Sequence, residues 1–164
     1  MIFLTIGTQE PFDRLVSALD QWAATSGVPV FGQLGALKAE SYRPQHFPFA
    51  DFMDAAAYEE KLRAADVVVA HAGMGSIISA LTHAKPIIIM PRRASLGEHR
   101  NEHQLATAER FRSRSGVWVA DEPSALPALL AQLLSGNAAA GSIAPFASDS
   151  LLDALRGLIR GVAA

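Results

Sequence analysis

Val67-Val-Val-Ala-His-Ala-Gly-Met-Gly-Ser76 is the stretch that decides the fold. Residues 67–70 have the length and apolar composition of a buried strand, and the residues that follow Ser76 have helical periodicity. Small residues between the two let a ligand approach the backbone, and the free N–H groups of a helix start favour a phosphate. The stretch therefore predicts a strand, a turn and a helix, with a nucleotide-type site at the turn.

Apolar runs of strand length alternate with helical segments along the rest of the chain. This alternation predicts an α/β fold with a Rossmann-like, mainly parallel sheet flanked by helices. Strands are predicted at 2–6, 28–32, 47–50, 67–70, 86–90 and 117–120, and helices at 12–25, 54–64, 75–83, 99–113 and 123–135. Because parallel strands are joined by right-handed crossovers, the loops that follow the strands should share one edge of the sheet.

The chain length predicts one domain. Its 164 residues, half of them hydrophobic, suffice for one well-packed core, which we place at residues 1–134. Residues 135–148 are rich in Gly, Ala and Ser and predict a flexible connector. Residues 149–164 predict an amphipathic helix that packs on this domain or on another chain; its apolar face holds Leu151, Leu152, Leu155, Leu158, Ile159 and Val162.

Composition restricts the partners and the compartment. The net charge of −2, without a block of like charges, argues against nucleic acid as a partner. Cysteine is absent, which excludes disulfides and fits a reducing compartment. The chain opens on a predicted strand and has no apolar run near the ~20 residues that span a bilayer, so we expect a cytoplasmic protein whose membrane contact is peripheral.

Two further clusters accompany the turn at residues 71–76. Gly7, Thr8 and Gln9 leave the first predicted strand and offer backbone N–H groups and a hydroxyl to a phosphate. They should share a sheet edge with His71, Gly73, Gly75 and Ser76 if the two strands are neighbours. His71 itself is interpreted either as a ligand or as a structural histidine bonded to a neighbouring loop.

The third cluster follows Pro91. Arg92 and Arg93 could pair with a diphosphate or with a sugar carboxylate, and His103 and Gln104 could bind sugar hydroxyls. The alternative for this cluster is a solvated polar helix face.

The same segment also matches the metalloprotease pattern H-x-x-E-H at His99, Glu102 and His103. A catalytic zinc needs a third protein ligand, and the candidates downstream are Glu109 and Glu122. Neither is well placed in the predicted elements, so the zinc-protease hypothesis is the weaker one.

Four stretches together resemble the carboxyl-terminal half of family 28 glycosyltransferases. More closely, they resemble free-standing donor-binding subunits of two-component enzymes in lipid-linked oligosaccharide and exopolysaccharide synthesis. The stretches cover residues 1 to about 120 in the right order; they are Ile6-Gly-Thr-Gln-Glu-Pro-Phe-Asp-Arg-Leu-Val16, Ala65-Asp-Val-Val-Val-Ala-His-Ala-Gly-Met-Gly-Ser76, Lys85-Pro86 with Pro91-Arg-Arg93, and His99-Arg-Asn-Glu-His-Gln104.

The resemblance implies one half of a GT-B fold that holds a UDP-sugar and needs neither a cofactor nor a metal. By motif position, the diphosphate would meet Gly7, Thr8, Gln9, Gly73, Gly75 and Ser76. Uracil would meet the backbone near Phe52 and Met53, and the sugar hydroxyls would meet His103 and Gln104. One position departs from the pattern, because Ser79 stands where single-chain relatives carry a ribose-binding glutamate.

The resemblance also implies a partner. The acceptor site, the general base and the membrane anchor would belong to a membrane-anchored acceptor-binding subunit, and the acceptor would be a polyprenyl-diphosphate-linked saccharide. Relatives with the Pro-Arg-Arg segment suggest glucuronate transfer, with Arg92 or Arg93 pairing with the carboxylate. The alternatives are an N-acetylglucosaminyltransferase subunit and a non-catalytic accessory subunit that only enhances a partner enzyme.

Overall fold

The fold was analysed in a computed structural model, which describes residues 1–136, 141–143 and 153. Within them, one parallel sheet has the strand order β3-β2-β1-β4-β5-β6. Its strands are β1 (Ile2–Thr5), β2 (Val30–Gln33), β3 (Phe49–Ala50), β4 (Val67–His71), β5 (Ile87–Met90) and β6 (Val117–Val119). The helices are α1 (Asp13–Ser26), α2 (Ala55–Ala64), α3 (Met74–Thr82), α4 (His103–Phe111) and α5 (Leu126–Leu134).

The strand order reverses between β1 and β4. Ile2 of β1 is in register with Val30 on one side and with Val67 on the other, so β1 pairs in parallel with both β2 and β4. In an open parallel sheet, the crevice at such a reversal lies outside the carboxyl ends of the strands and is the usual place for a ligand. The predicted Rossmann-like fold is confirmed, and every predicted strand is present.

Each face of the sheet has its own apolar core. Ile2 and Leu4 of β1 belong to the core that contains Leu15 of α1 and Leu130 of α5. Phe3 points the other way, into the core formed with α2, α3 and α4. Because helices cover both faces, the strands are mostly apolar, and the polar residues Thr5, Gln33 and His71 lie at their carboxyl ends.

The fourth predicted helix is wrong at its start. It was expected from residue 99, but α4 begins at His103. The polar side chains ahead of it bond elsewhere: Glu98 accepts from the Arg93 backbone N–H at 2.9 Å, and Glu102 accepts from that of Ser95 at 3.1 Å. Such side-chain bonds to the backbone compete with helix formation.

Part of the predicted connector contacts the domain. Residues 141–143 lie beside the end of α3, where the Ile143 N–H donates to the Leu81 carbonyl oxygen at 3.2 Å. The predicted carboxyl-terminal helix at 149–164 lies outside the described residues apart from Asp153. Among the helices that are described, none has the length and apolar content needed to cross a membrane.

Candidate functional site

The main cavity lies at the strand-order reversal. It has a volume of about 530 Å³ and opens at the carboxyl ends of β1, β2 and β4, between α2 and α3. Six residues predicted from the sequence line it: Gly7, Thr8, Met53, His71, Gly75 and Ser76. The volume is within the usual range for small-molecule sites.

The amino-terminal end of α3 forms one wall of the cavity. Gly73 caps the helix without a side-chain hydrogen bond, so the N–H groups of the first turn are left for another acceptor. A Cβ built on Gly75 meets nothing within 4 Å, which shows that the backbone here faces open space. Together with the helix dipole, these N–H groups can bind an anionic group such as a phosphate.

His71 packs against two glycines. A Cβ on Gly73 would lie 2.1 Å from the His71 Nε2 atom, and one on Gly7 would lie 3.1 Å from the ring. Burial, the largest cause, lowers the pKa of His71 to about 4, and the nearby positive charge of Arg92 acts in the same direction. The ring is therefore neutral at physiological pH, and its close packing explains why both turns require glycine.

Gln33, the last residue of β2, connects the loops after β1 and β3 to its own segment at the floor of the cavity. Sequence analysis missed this residue. Its side-chain N–H₂ donates to the carbonyl oxygens of Gly7 and Asp51, both at 3.0 Å. Its Oε1 accepts from the Thr5 hydroxyl at 2.7 Å. The available signal was a glutamine that follows Val30-Phe31-Gly32 at the end of a buried strand.

Tyr58 of α2 closes the side of the cavity. The pKa of its hydroxyl is raised mainly by burial, while the hydroxyls of Thr5 and Ser76 nearby oppose that shift. The phenol is therefore protonated near neutral pH and can donate a hydrogen bond into the cavity.

Arg92 has other contacts than the sequence suggested. Its side chain is buried and donates to the carbonyl oxygens of Ile6 at 2.8 Å and Glu10 at 2.5 Å. The backbone N–H of Arg92 donates in turn to Oε1 of buried Gln104 at 3.1 Å. Arg92 thus holds the loops after β1 and β5 together, and Gln104 holds the loop after β5 to the start of α4.

Arg93 lies nearer the surface. It forms an ion pair with Glu122 at 2.7 Å and donates to the carbonyl oxygen of Asp121 at 2.9 Å. Beside it, Arg14 makes two hydrogen bonds to the carboxylate of Glu98, at 2.7 and 2.8 Å. These pairs fix the segment between β5 and α4 against α1.

His103 lies in a different cavity, which it shares with Met74, Thr107 and Phe111. Its ring contacts Asn101 and meets the ring of His99 edge to face, with 4.7 Å between centroids. Because His99 precedes α4, the single helix face required by the zinc-protease hypothesis is not formed. Within the described part of the chain, no three His, Asp or Glu side chains come together as a metal site would need.

The remaining predicted residues lie outside the lining of the main cavity. Gln9 borders a smaller cavity of about 330 Å³ with Glu98 and His99. Phe52 is 58% exposed between β3 and α2, beside Met53, which does line the main cavity. The structure therefore brings together the two glycine turns, at Gly7 and at Gly75, and leaves Arg92 and Arg93 outside the lining of the main cavity.

The sequence comparison identifies the family. Residues 1–145 match the glycosyltransferase family 28 C-terminal domain. The chain belongs to this family. The resemblance found in the sequence is thereby confirmed, while no curated protein sequence matches the chain significantly.

Solved glycosyltransferases share the family 28 domain's fold. ALG13, solved by NMR, is 20% identical with a TM-score of 0.56, and the match covers 94% of this chain and 93% of ALG13. The kitacinnamycin glycosyltransferase is 22% identical with a TM-score of 0.59, covering 82% of this chain and 34% of that enzyme. Os79 from O. sativa, solved in complex with UDP, is 15% identical with a TM-score of 0.55, covering 83% and 32%. The chain thus spans about a third of the first listed enzymes.

Proposed function

We propose that this chain is the donor-binding subunit of a two-component, UDP-sugar-dependent glycosyltransferase in exopolysaccharide synthesis. The observation that carries the proposal is the uncapped start of α3, which faces a cavity at the strand-order reversal. The N–H groups there suit the diphosphate of a nucleotide sugar. The structure of Os79 with UDP supports a nucleotide ligand on this fold.

The partner half would complete the reaction. The similarity to ALG13, which covers 94% of this chain and 93% of ALG13, supports a division of the two halves between subunits. In this proposal, a membrane-anchored partner binds the lipid-diphosphate-linked acceptor and supplies the general base. The acceptor hydroxyl attacks the anomeric carbon in line with the departing UDP, so the configuration inverts. The site on α3 stabilises the charge of the leaving diphosphate.

The sugar specificity is the finest part of the proposal. Of the two arginines expected to recognise glucuronate, Arg93 remains the candidate, because Arg92 is buried and bonded to backbone carbonyl oxygens. Arg93→Ala should weaken UDP-glucuronate binding more than UDP-glucose binding. Equal weakening of both donors would contradict glucuronate recognition, and stronger binding of UDP-N-acetylglucosamine would favour the alternative transferase.

The first experiment is calorimetric titration of the chain with UDP and UDP-sugars, alone and with the partner. Thr8→Val removes a hydroxyl that lines the cavity, and Thr25→Val is the matched control at the far end of α1. We expect Thr8→Val to weaken UDP binding and Thr25→Val to leave it unchanged. Absence of nucleotide binding even in the complex would overturn the proposal and favour an accessory subunit.

A second experiment tests the partner contact. Deletion of residues 149–164 should abolish co-purification with the membrane-anchored partner while leaving UDP binding intact. Undiminished co-purification of the truncated chain would contradict docking through this segment.

A further inference from the structure

Glu59 and His83 face each other across the mouth of the main cavity. Glu59 lies on α2 and His83 directly follows α3, and both line the cavity. The His83 Nε2 atom lies 3.4 Å from the Glu59 Oε1 atom. The lining also contains another acid, Asp54 at the start of α2, and another imidazole, His71 of β4.

The hydrogen bonds of His83 fix its neutral tautomer. The Nδ1 atom lies 2.9 Å from the carbonyl oxygen of Ser79, which can only accept. The proton therefore lies on Nδ1, and the neutral ring presents Nε2 as an acceptor. In the neutral ring an acceptor nitrogen and a carboxylate oxygen lie side by side without a proton between them, whereas a protonated ring pairs with Glu59.

The Glu59 carboxylate also has unused capacity. Oε1 accepts from Arg63 at 2.5 and 3.1 Å and lies next to His83. The described residues give Oε2 no partner, and the ion pair with exposed Arg63 is weak in water. Oε2 and the Nε2 atom of the neutral His83 ring are thus two acceptors that can take donors from a ligand in place of water.

Two neighbouring hydroxyl groups would satisfy both acceptors. We infer that Glu59 and His83 bind the vicinal diol of the nucleotide ribose, the 2′-hydroxyl donating to the carboxylate and the 3′-hydroxyl to the imidazole. A carboxylate on the ribose hydroxyls is a common device in nucleotide-binding α/β domains. This inference rests on the proposed function and assigns the ribose site to α2, since Ser79 of α3 offers no carboxylate.

The position along α3 agrees with this assignment. Ser76, Ser79 and His83 are three and four residues apart, so they lie on one helix face, and all three line the cavity. Three residues advance a helix by about 4.5 Å. A nucleotide whose phosphates lie at the first turn of α3 therefore has its ribose about one turn further along.

The test compares UDP with 2′-deoxy-UDP by calorimetric titration. We expect the wild-type chain to prefer UDP by roughly tenfold, the value of one good hydrogen bond to a charged group. Glu59→Ala should abolish the preference by weakening UDP binding while 2′-deoxy-UDP binds as before. Glu60→Ala is the matched control, because Glu60 is exposed on α2 outside the cavity lining, and it should keep the preference.

The outcomes separate the two proposals. An undiminished preference for UDP in Glu59→Ala would overturn the ribose assignment and leave the donor-binding function intact. Equal wild-type affinities for the two nucleotides would do the same. Failure of the wild-type chain to bind UDP, alone or with its partner, would instead overturn the proposed function. His83→Phe should weaken UDP and 2′-deoxy-UDP alike and keep the preference, and wild-type affinity of that variant for both nucleotides would contradict the role of the imidazole.

Discussion

The Arg92 guanidinium donates a 2.8 Å hydrogen bond to the carbonyl oxygen of Ile6, 86 residues away in the sequence. A second bond to Glu10 reaches further along the same loop. Burial lowers the pKa of Arg92 to about 10, so the group remains charged at neutral pH. The loop after β5 therefore supports the loop after β1, which lines the main cavity through Gly7 and Thr8.

Arg92→Ala should destabilise the fold. The substitution leaves the carbonyl oxygens of buried Ile6 and of Glu10 without their donor, and we expect the free energy of unfolding to fall by about 3 kcal/mol. Urea denaturation measures this loss. UDP affinity should fall with it, because the first loop loses its support.

Arg93→Ala is the matched control. Arg93 is partly exposed and pairs with half-exposed Glu122, so its loss should change the unfolding free energy by about 1 kcal/mol at most. If Arg92→Ala kept wild-type stability and lost only its affinity for UDP-glucuronate, Arg92 would be a carboxylate ligand instead.

Gly75→Val should separate binding from folding. The Cβ position at Gly75 is open, so the protein should accommodate the side chain and keep its melting temperature within a few degrees. The branched side chain would block close approach of a phosphate to the helix start, and we expect UDP affinity to fall at least about tenfold, or 1.4 kcal/mol. Calorimetric titration and thermal denaturation report the two effects.

Ile78→Val is the control for Gly75→Val, because Ile78 is an exposed residue of α3 outside the cavity lining. It should bind UDP as the wild type does. Wild-type affinity in Gly75→Val would exclude this part of α3 from the phosphate site.

The sequence predicted the sheet because its signal is local. Runs such as Ile87-Ile-Ile-Met90 are apolar without alternation, which indicates strands covered on both faces. The sequence also predicted the glycine turns, because Gly7, Gly73 and Gly75 lie within a few residues of the ends of such runs. Parallel pairing then placed both turns at one edge without further information.

The contacts between distant residues were beyond such reasoning. Arg92 and Gln104 carry side chains that suit a ligand, yet they bond to backbone groups that only the folded chain brings near. The start of α4 was misplaced for a related reason, because Glu98 bonds to Arg14 of another helix. A periodic pattern contains no information on such long-range bonds.

Gln33→Leu should lower the unfolding free energy although the two side chains are similar in size. The change removes the donor to the Gly7 carbonyl oxygen and the acceptor of the buried Thr5 hydroxyl, whereas the Asp51 carbonyl oxygen keeps its bond from the Gly35 N–H. Each unsatisfied group costs about 1 to 3 kcal/mol, so we expect a loss of at least about 2 kcal/mol in unfolding free energy.

Gln21→Leu on the exposed face of α1 is the matched control and should remain near wild-type stability. Hydrogen exchange should show faster exchange at Gly35, whose N–H donates to the Asp51 carbonyl oxygen at 2.8 Å, in the Gln33 variant alone. Unchanged exchange at Gly35 would mean that the loops after β1 and β3 are held in place without Gln33.

The low pKa of His71 predicts an acid-sensitive fold. The folded protein keeps the ring neutral down to a pKa of about 4, whereas the unfolded chain binds a proton near 6.5. As pH falls through this window, the unfolded state gains the proton first and stability is lost. Between pH 7 and pH 5 this loss should be about 2 kcal/mol, at 1.36 kcal/mol per pKa unit.

His71→Gln should show a smaller loss by that amount in urea denaturation at the two pH values, and His103→Gln, which changes an exposed histidine, should match the wild type. An equal pH dependence in His71→Gln and the wild type would mean that the His71 ring is protonated as easily in the folded chain as in the unfolded one.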